Sequence, residues 1–165
     1  MGLNLTSLGI FHTLIGIVAL IIALISLFKE GEINPKNSLG RTYIMLTLVT
    51  SVTSFGIMKT GHLSPSHFLT VLILIILPIA IYAPSIKVFG KKAQYVQTLG
   101  MTATLHLSFI PTIVETLTRV PVGHPLAVNQ ESPIIMASVG MLTLVFVVIA
   151  FFQWRAINSH SYHIN

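Results

Sequence analysis

Seven histidines stand in a chain of 165 residues that is 53% apolar and only 8% charged. Imidazoles titrate near neutrality, relay protons and ligate metals, so their positions set the candidate chemistry. His12 and His106 lie inside long apolar runs, where an ionisable group is costly and faces other helices or a wet cavity. Below His12 on one helical face follow Gly16, Ala19, Ala23 and Ser26, and His106 ends a polar ridge of Gln94, Thr98 and Thr102. Small and polar stripes mark helix contact faces in membranes, so both histidines are expected to point inward. At about 1.5 Å per residue, His12 rises roughly 25 Å above Lys29 and His106 roughly 21 Å above Lys92. His67 rises roughly 30 Å above Lys87, a turn or so higher. Two neutral imidazoles from different helices at one depth suit axial ligation of a haem iron, with Gly16 giving the macrocycle room. The same placement also suits interhelical hydrogen bonds to threonine, a copper or zinc ion, or a quinone contact.

A second constellation is His62, His67 and His124 at the outer loops, where His62 and His67 flank a Ser-Pro turn. This is the alternative metal site, for copper or zinc. Met45, Met58, Met101, Met136 and Met141 offer thioethers for copper(I) but share no clustered motif. Glu115 is the only carboxylate near a spanning segment, four residues before Arg119. It reads either as an interfacial ion pair or as a proton-handling group beside the site. Thr47, Ser51 and Ser54 share a helix face that could line a polar path, but such hydroxyls also return their hydrogen bonds to their own backbone, which is expected to be mostly their role. There is no cysteine and no aspartate, and the four carboxylates are Glu30, Glu32, Glu115 and Glu131. This excludes thiol chemistry and disfavours most hydrolytic, phosphoryl-transfer and carboxylate-metal chemistry. No P-loop, dinucleotide fingerprint, catalytic triad or H-E-x-x-H helix is present.

The elements that position these groups follow from composition. A mean hydropathy of +0.87 and so few charges cannot cover a water-facing surface. An all-α integral membrane bundle is expected, a single domain over residues 1–158 with a short polar tail at 159–165. Five segments are long and apolar enough to span, at about 6–28, 41–59, 66–84, 93–118 and 134–154. The first lacks a basic flank and a small-residue cleavage site, so it is expected to be retained rather than removed as a signal. Lys29, Lys36, Arg41, Lys87, Lys91, Lys92 and Arg155 then share one side, against Lys59 and Arg119 on the other. The positive-inside rule places the N-terminus outside and the C-terminus in the cytoplasm. The net charge of +5 is accounted for by this asymmetry rather than by nucleic acid. Tyr43, Tyr95 and Trp154 suit an aromatic belt.

With His12 opening one helix, a His-x-x-x-Gly pattern running to Gly16, and His106 inside another, the chain resembles small b-type membrane cytochromes of the cytochrome b561 and ferric-reductase kind. It also resembles uncharacterised bacterial multi-pass membrane proteins. The resemblance spans roughly the first four helices. It implies one haem b on His12 and His106, with His67 able to substitute for either and Thr102 and Glu115 beside the site. Those cytochromes often carry two ligand histidines on one helix, and no helix here does. No flavin or NAD module is present, so electrons would come from a quinol or a redox partner protein. The expected setting is a bacterial plasma (inner) membrane, as a homo-oligomer or within a larger membrane complex. The competing expectation is a non-redox accessory, transport or metal-handling protein whose histidines are structural, proton-relay or ligand groups.

Overall fold

A computed structural model describes residues 6–57 and 65–162, with side chains through 159. Helices are the only regular secondary structure among the described residues. Five helices run α1 Ser7–Glu30, α2 Ser38–Ser54, α3 Pro65–Tyr82, α4 Ala93–Leu117 and α5 Pro133–Tyr162, with two 3₁₀ segments at Ala83–Ser85 and Lys87–Lys92. Local chemistry sets the ends. Thr6 caps α1 by accepting the Gly9 amide, and Gly31 closes it in a left-handed conformation (φ 74°) that suits glycine. Asn37 caps α2 through the Gly40 amide at 2.7 Å, which starts this helix earlier than its apolar run suggests. Pro65 opens α3, and Pro84 lies in the 3₁₀ segment that follows it.

α5 runs to Tyr162, beyond the expected end at 154 and into the segment expected as a tail. The extension is held by packing: Ile157 is buried and the Tyr95 hydroxyl of α4 donates to Asn158. At the opposite end of α5, the loop from α4 is tied back by the Ala127 amide, which donates to Leu117 at 2.9 Å.

α4 is the centre of the bundle, packing on α1, α3 and α5. α2 packs on α1 and α3 and reaches α4 through Tyr43. The core joins Ala19 and Ala23 of α1, Tyr43 of α2, Leu77 and Ala80 of α3, Met101 and Leu105 of α4, and Phe146 of α5. Burial of Ala19, Ala23 and Ser26 agrees with the small-residue stripe as a contact face. Gly100 lets α4 approach α3 closely, since a Cβ there would lie 2.8 Å from the Ala80 Cβ.

Three helical segments, Ser7–Glu30, Pro65–Ser85 and Pro133–Ser159, are long and apolar enough to cross a membrane. Their outer faces carry exposed residues such as Ile10, Phe11, Leu14, Phe68, Ile75, Val147 and Phe152, which suits contact with lipid. α2 and α4 do not qualify by themselves. α2 has 17 residues, about 26 Å of rise. α4 carries buried Thr98, Thr102 and Thr104, and these are satisfied by neighbouring helices rather than by an apolar surface.

Candidate functional site

His12 projects from α1 onto the last turn of α2. Its Nδ1 lies 3.0 Å from Thr53 Oγ1. The Thr53 hydroxyl already directs its proton to the carbonyls of Val49 (2.9 Å) and Thr50 (3.0 Å), so it accepts from His12. That assigns the neutral imidazole its proton at Nδ1 and leaves the lone pair at Nε2. One turn below, Gly16 faces α2: a Cβ on it would stand 3.6 Å from the Thr50 methyl. The room expected for a macrocycle beside Gly16 is taken up by α2.

The same turn of α2 receives a second histidine. His67, in the first turn of α3, is buried with its ring centroid 6.0 Å from that of Phe55, and Ser54 donates to Thr70 of α3 at 3.2 Å. Glu115 of α4 lies within electrostatic reach of His12 and is paired with Arg119. His12 and His67 therefore meet one end of α2 from two helices, with Glu115 of α4 near enough to His12 to act on it electrostatically.

His106 is directed elsewhere. Its Nε2 lies 3.4 Å from Thr143 Oγ1 on α5, and its ring stacks at 5.0 Å on Phe146. Thr143 donates to the Val139 carbonyl at 2.8 Å and so accepts from His106 Nε2, leaving Nδ1 with the lone pair, buried and without a hydrogen-bond partner. Thr102 lies on the same side, donating at 2.9 Å to Gln153 of α5. At about 100° per residue, His106 is roughly 200° around α4 from Thr104, whose hydroxyl meets Tyr43 of α2. Glu115, eleven residues beyond Thr104, returns to within roughly 20° of the α2-facing direction. Thus Glu115, and not His106, shares the side of α4 on which His12 sits. Shared haem ligation needs both imidazoles turned toward one iron; here they serve α2 and α5 separately, and this arrangement does not fit the group.

His62 lies outside the described residues, His67 is buried, and His124 is exposed on the loop after α4. Among the described residues, no group of three or more histidine and carboxylate side chains could hold a metal ion. Met45, Met136 and Met141 are exposed while Met101 is fully buried, and Met58 lies outside the described residues.

Two polar features acquire their partners only in the folded bundle. Between α2 and α4, the fully buried Tyr43 places its hydroxyl 2.9 Å from Thr104 Oγ1, within hydrogen-bonding reach of Thr47 and Ser108. With Ser51, buried on the same face of α2, these groups form a hydroxyl-lined seam. At the basic end of the bundle, the loop after α1 is drawn inward. Thr98 donates to the Glu32 carboxylate at 2.7 Å, Ser26 to the Glu32 carbonyl at 2.9 Å, and Gln153 to the Gly31 carbonyl at 2.8 Å. The hint in the sequence was Gln153, an amide inside an apolar helix, which implies a buried partner. No family model, curated protein or solved structure matches this chain, so its function is argued from these residues and their geometry.

Proposed function

We propose that the chain is a five-span integral membrane protein of the bacterial plasma membrane, N-terminus outside, that handles protons in a transport or accessory role. α4 needs no apolar surface to span because α1, α3 and α5 surround it, and α2 is flanked by α1 and α3. The charge asymmetry of the connections supports the orientation. The observation that carries the functional reading is the meeting of His12 and His67 at the C-terminal end of α2, with Glu115 in electrostatic reach of His12. A carboxylate within the field of a neutral imidazole whose Nδ1–H is held by Thr53 favours proton exchange at the free Nε2. The hydroxyl seam of Tyr43, Thr47, Thr104 and Ser108 lies further along α2, inside the bundle.

The test is proton uptake into liposomes holding a pH-sensitive dye, driven by a potassium diffusion potential. Wild type should acidify the lumen faster than empty liposomes, and Glu115→Gln and His12→Ala should each slow it. Equal rates for wild type and empty liposomes overturn the reading.

The haem-b reading is the second proposal, and the partnerless Nδ1 of His106 supports it. It requires His106 to turn from α5 to the side of α4 on which His12 keeps the Nε2 lone pair, so that both address one iron supplied with electrons by a quinol or partner protein. A bis-histidine haem would give a sharp reduced-minus-oxidised band in purified protein, lost in His12→Ala and in His106→Ala. A colourless, folded preparation rejects it.

A further inference from the structure

At the basic end of the bundle a polar cavity of about 430 Å³ opens between the loop after α1 and the start of α4. Glu32, Asn34 and Lys36 form one wall, and Lys91, Gln94 and Gln97 the other. Its volume lies in the range of small-ligand sites. The walls are set in advance. The first is anchored by Thr98 and Ser26 on Glu32 and seated on α2, where a Cβ on Gly40 would fall 1.8 Å from the Asn34 carbonyl oxygen. The second is anchored by the Gln97 amide, which donates to the carbonyls of Ala80 and Ile81 at 3.5 and 3.3 Å.

The charges of the lining are of both signs. The Lys36 and Lys91 ammonium groups have no ion-pair or hydrogen-bond partner among the described residues. Glu32 stands between Thr98 and Asn34 with acceptor positions left over, since a carboxylate offers about four. A simple anion would satisfy the lysines but meet the Glu32 charge. A simple cation would meet the lysines. A group carrying a phosphate and a primary ammonium satisfies both. The position decides its source: the apolar segments Ser7–Glu30 and Pro65–Ser85 both end beside this cavity, the level at which lipid headgroups lie.

We infer that this cavity binds the phosphoethanolamine headgroup of a membrane phospholipid, with the phosphate between Lys36 and Lys91 and the ammonium on Glu32. The inference rests on the membrane placement proposed above and not on proton handling. Phosphatidylglycerol lacks the ammonium, and the trimethylated ammonium of phosphatidylcholine has no N–H to give Glu32.

Native mass spectrometry of the full chain in detergent, titrated with each of these three lipids and with free phosphoethanolamine, tests it. Phosphatidylethanolamine should bind up to about fivefold more tightly than the other two lipids, the weight of one partly exposed ion pair. Lys36→Ala/Lys91→Ala should weaken all three lipids together, since each carries the phosphate, and Glu32→Gln, which keeps an oxygen for Thr98, should bring phosphatidylethanolamine down to phosphatidylglycerol. Equal binding of the three lipids, or lipid binding that the double lysine variant leaves unchanged, overturns the inference. Free phosphoethanolamine binding as tightly as the lipid overturns the lipid as its source. Proton uptake by the double lysine variant stays at the wild-type rate, which separates this result from the fate of the proton-handling reading.

Discussion

Replacing Gly100 by alanine tests the packing that aims α4. The added Cβ would lie 2.8 Å from the Ala80 Cβ, with the Ala80 Cα at 3.6 Å and Ile76 Cγ2 at 3.8 Å behind it. Only the first contact is too short, and it is to an atom fixed on the backbone of a fully buried residue. The helices must therefore part by several tenths of an ångström, an overpacking cost of about 1–3 kcal/mol. Alanine also gains about 1 kcal/mol over glycine in helix propensity, so the single variant should lose about 0–2 kcal/mol. Ala80→Gly alone loses about 1 kcal/mol of propensity together with its contacts. In Gly100→Ala/Ala80→Gly the propensity changes cancel and the clash disappears, leaving ordinary contacts. The double variant should return close to wild type, with a coupling of about 1–3 kcal/mol. The assay is reversible unfolding of the four proteins in mixed micelles with increasing denaturing detergent. A coupling of zero would show that α3 and α4 do not meet through Gly100 and would refute the reasoning.

Other measurements check the remaining contacts. Thr53→Val removes the acceptor for His12 and should cost about 0.6 and at most about 1.7 kcal/mol in the same unfolding assay, as for other interhelical hydrogen bonds in membranes. Gln153→Leu breaks the links to Thr102 and to the Gly31 carbonyl together and should cost about 1–3 kcal/mol, more than Thr102→Val, because a buried carbonyl is left unpaired. With no native cysteine, single cysteines report topology directly. In intact bacterial cells, cysteines at Lys36 and Lys91 should resist a membrane-impermeant maleimide while one at Gln130 reacts; the opposite pattern reverses the orientation.

Composition and spacing alone dictated that this chain is helical and suited to lipid. They also marked the small-residue face of α1 and singled out His12, His67 and Glu115, because apolar runs and four-residue periodicities are local properties. The neighbour of each polar group is not local. A helix of apolar and hydroxyl residues reads the same whichever way it is rotated about its axis, so His12 and His106 looked like a pair at one depth. Close packing of α4 on α3 at Gly100 and the Tyr43–Thr104 hydrogen bond from α2 decided the rotation, turning Glu115 toward the side of His12 and sending His106 to Thr143. Glu32 shows the same division. In the sequence it is one charge in a turn after a membrane helix. Only the folded bundle, with Thr98, Ser26 and Gln153 arriving from three helices, supplies the hydrogen bonds that let the loop move inward and open a polar cavity beside it.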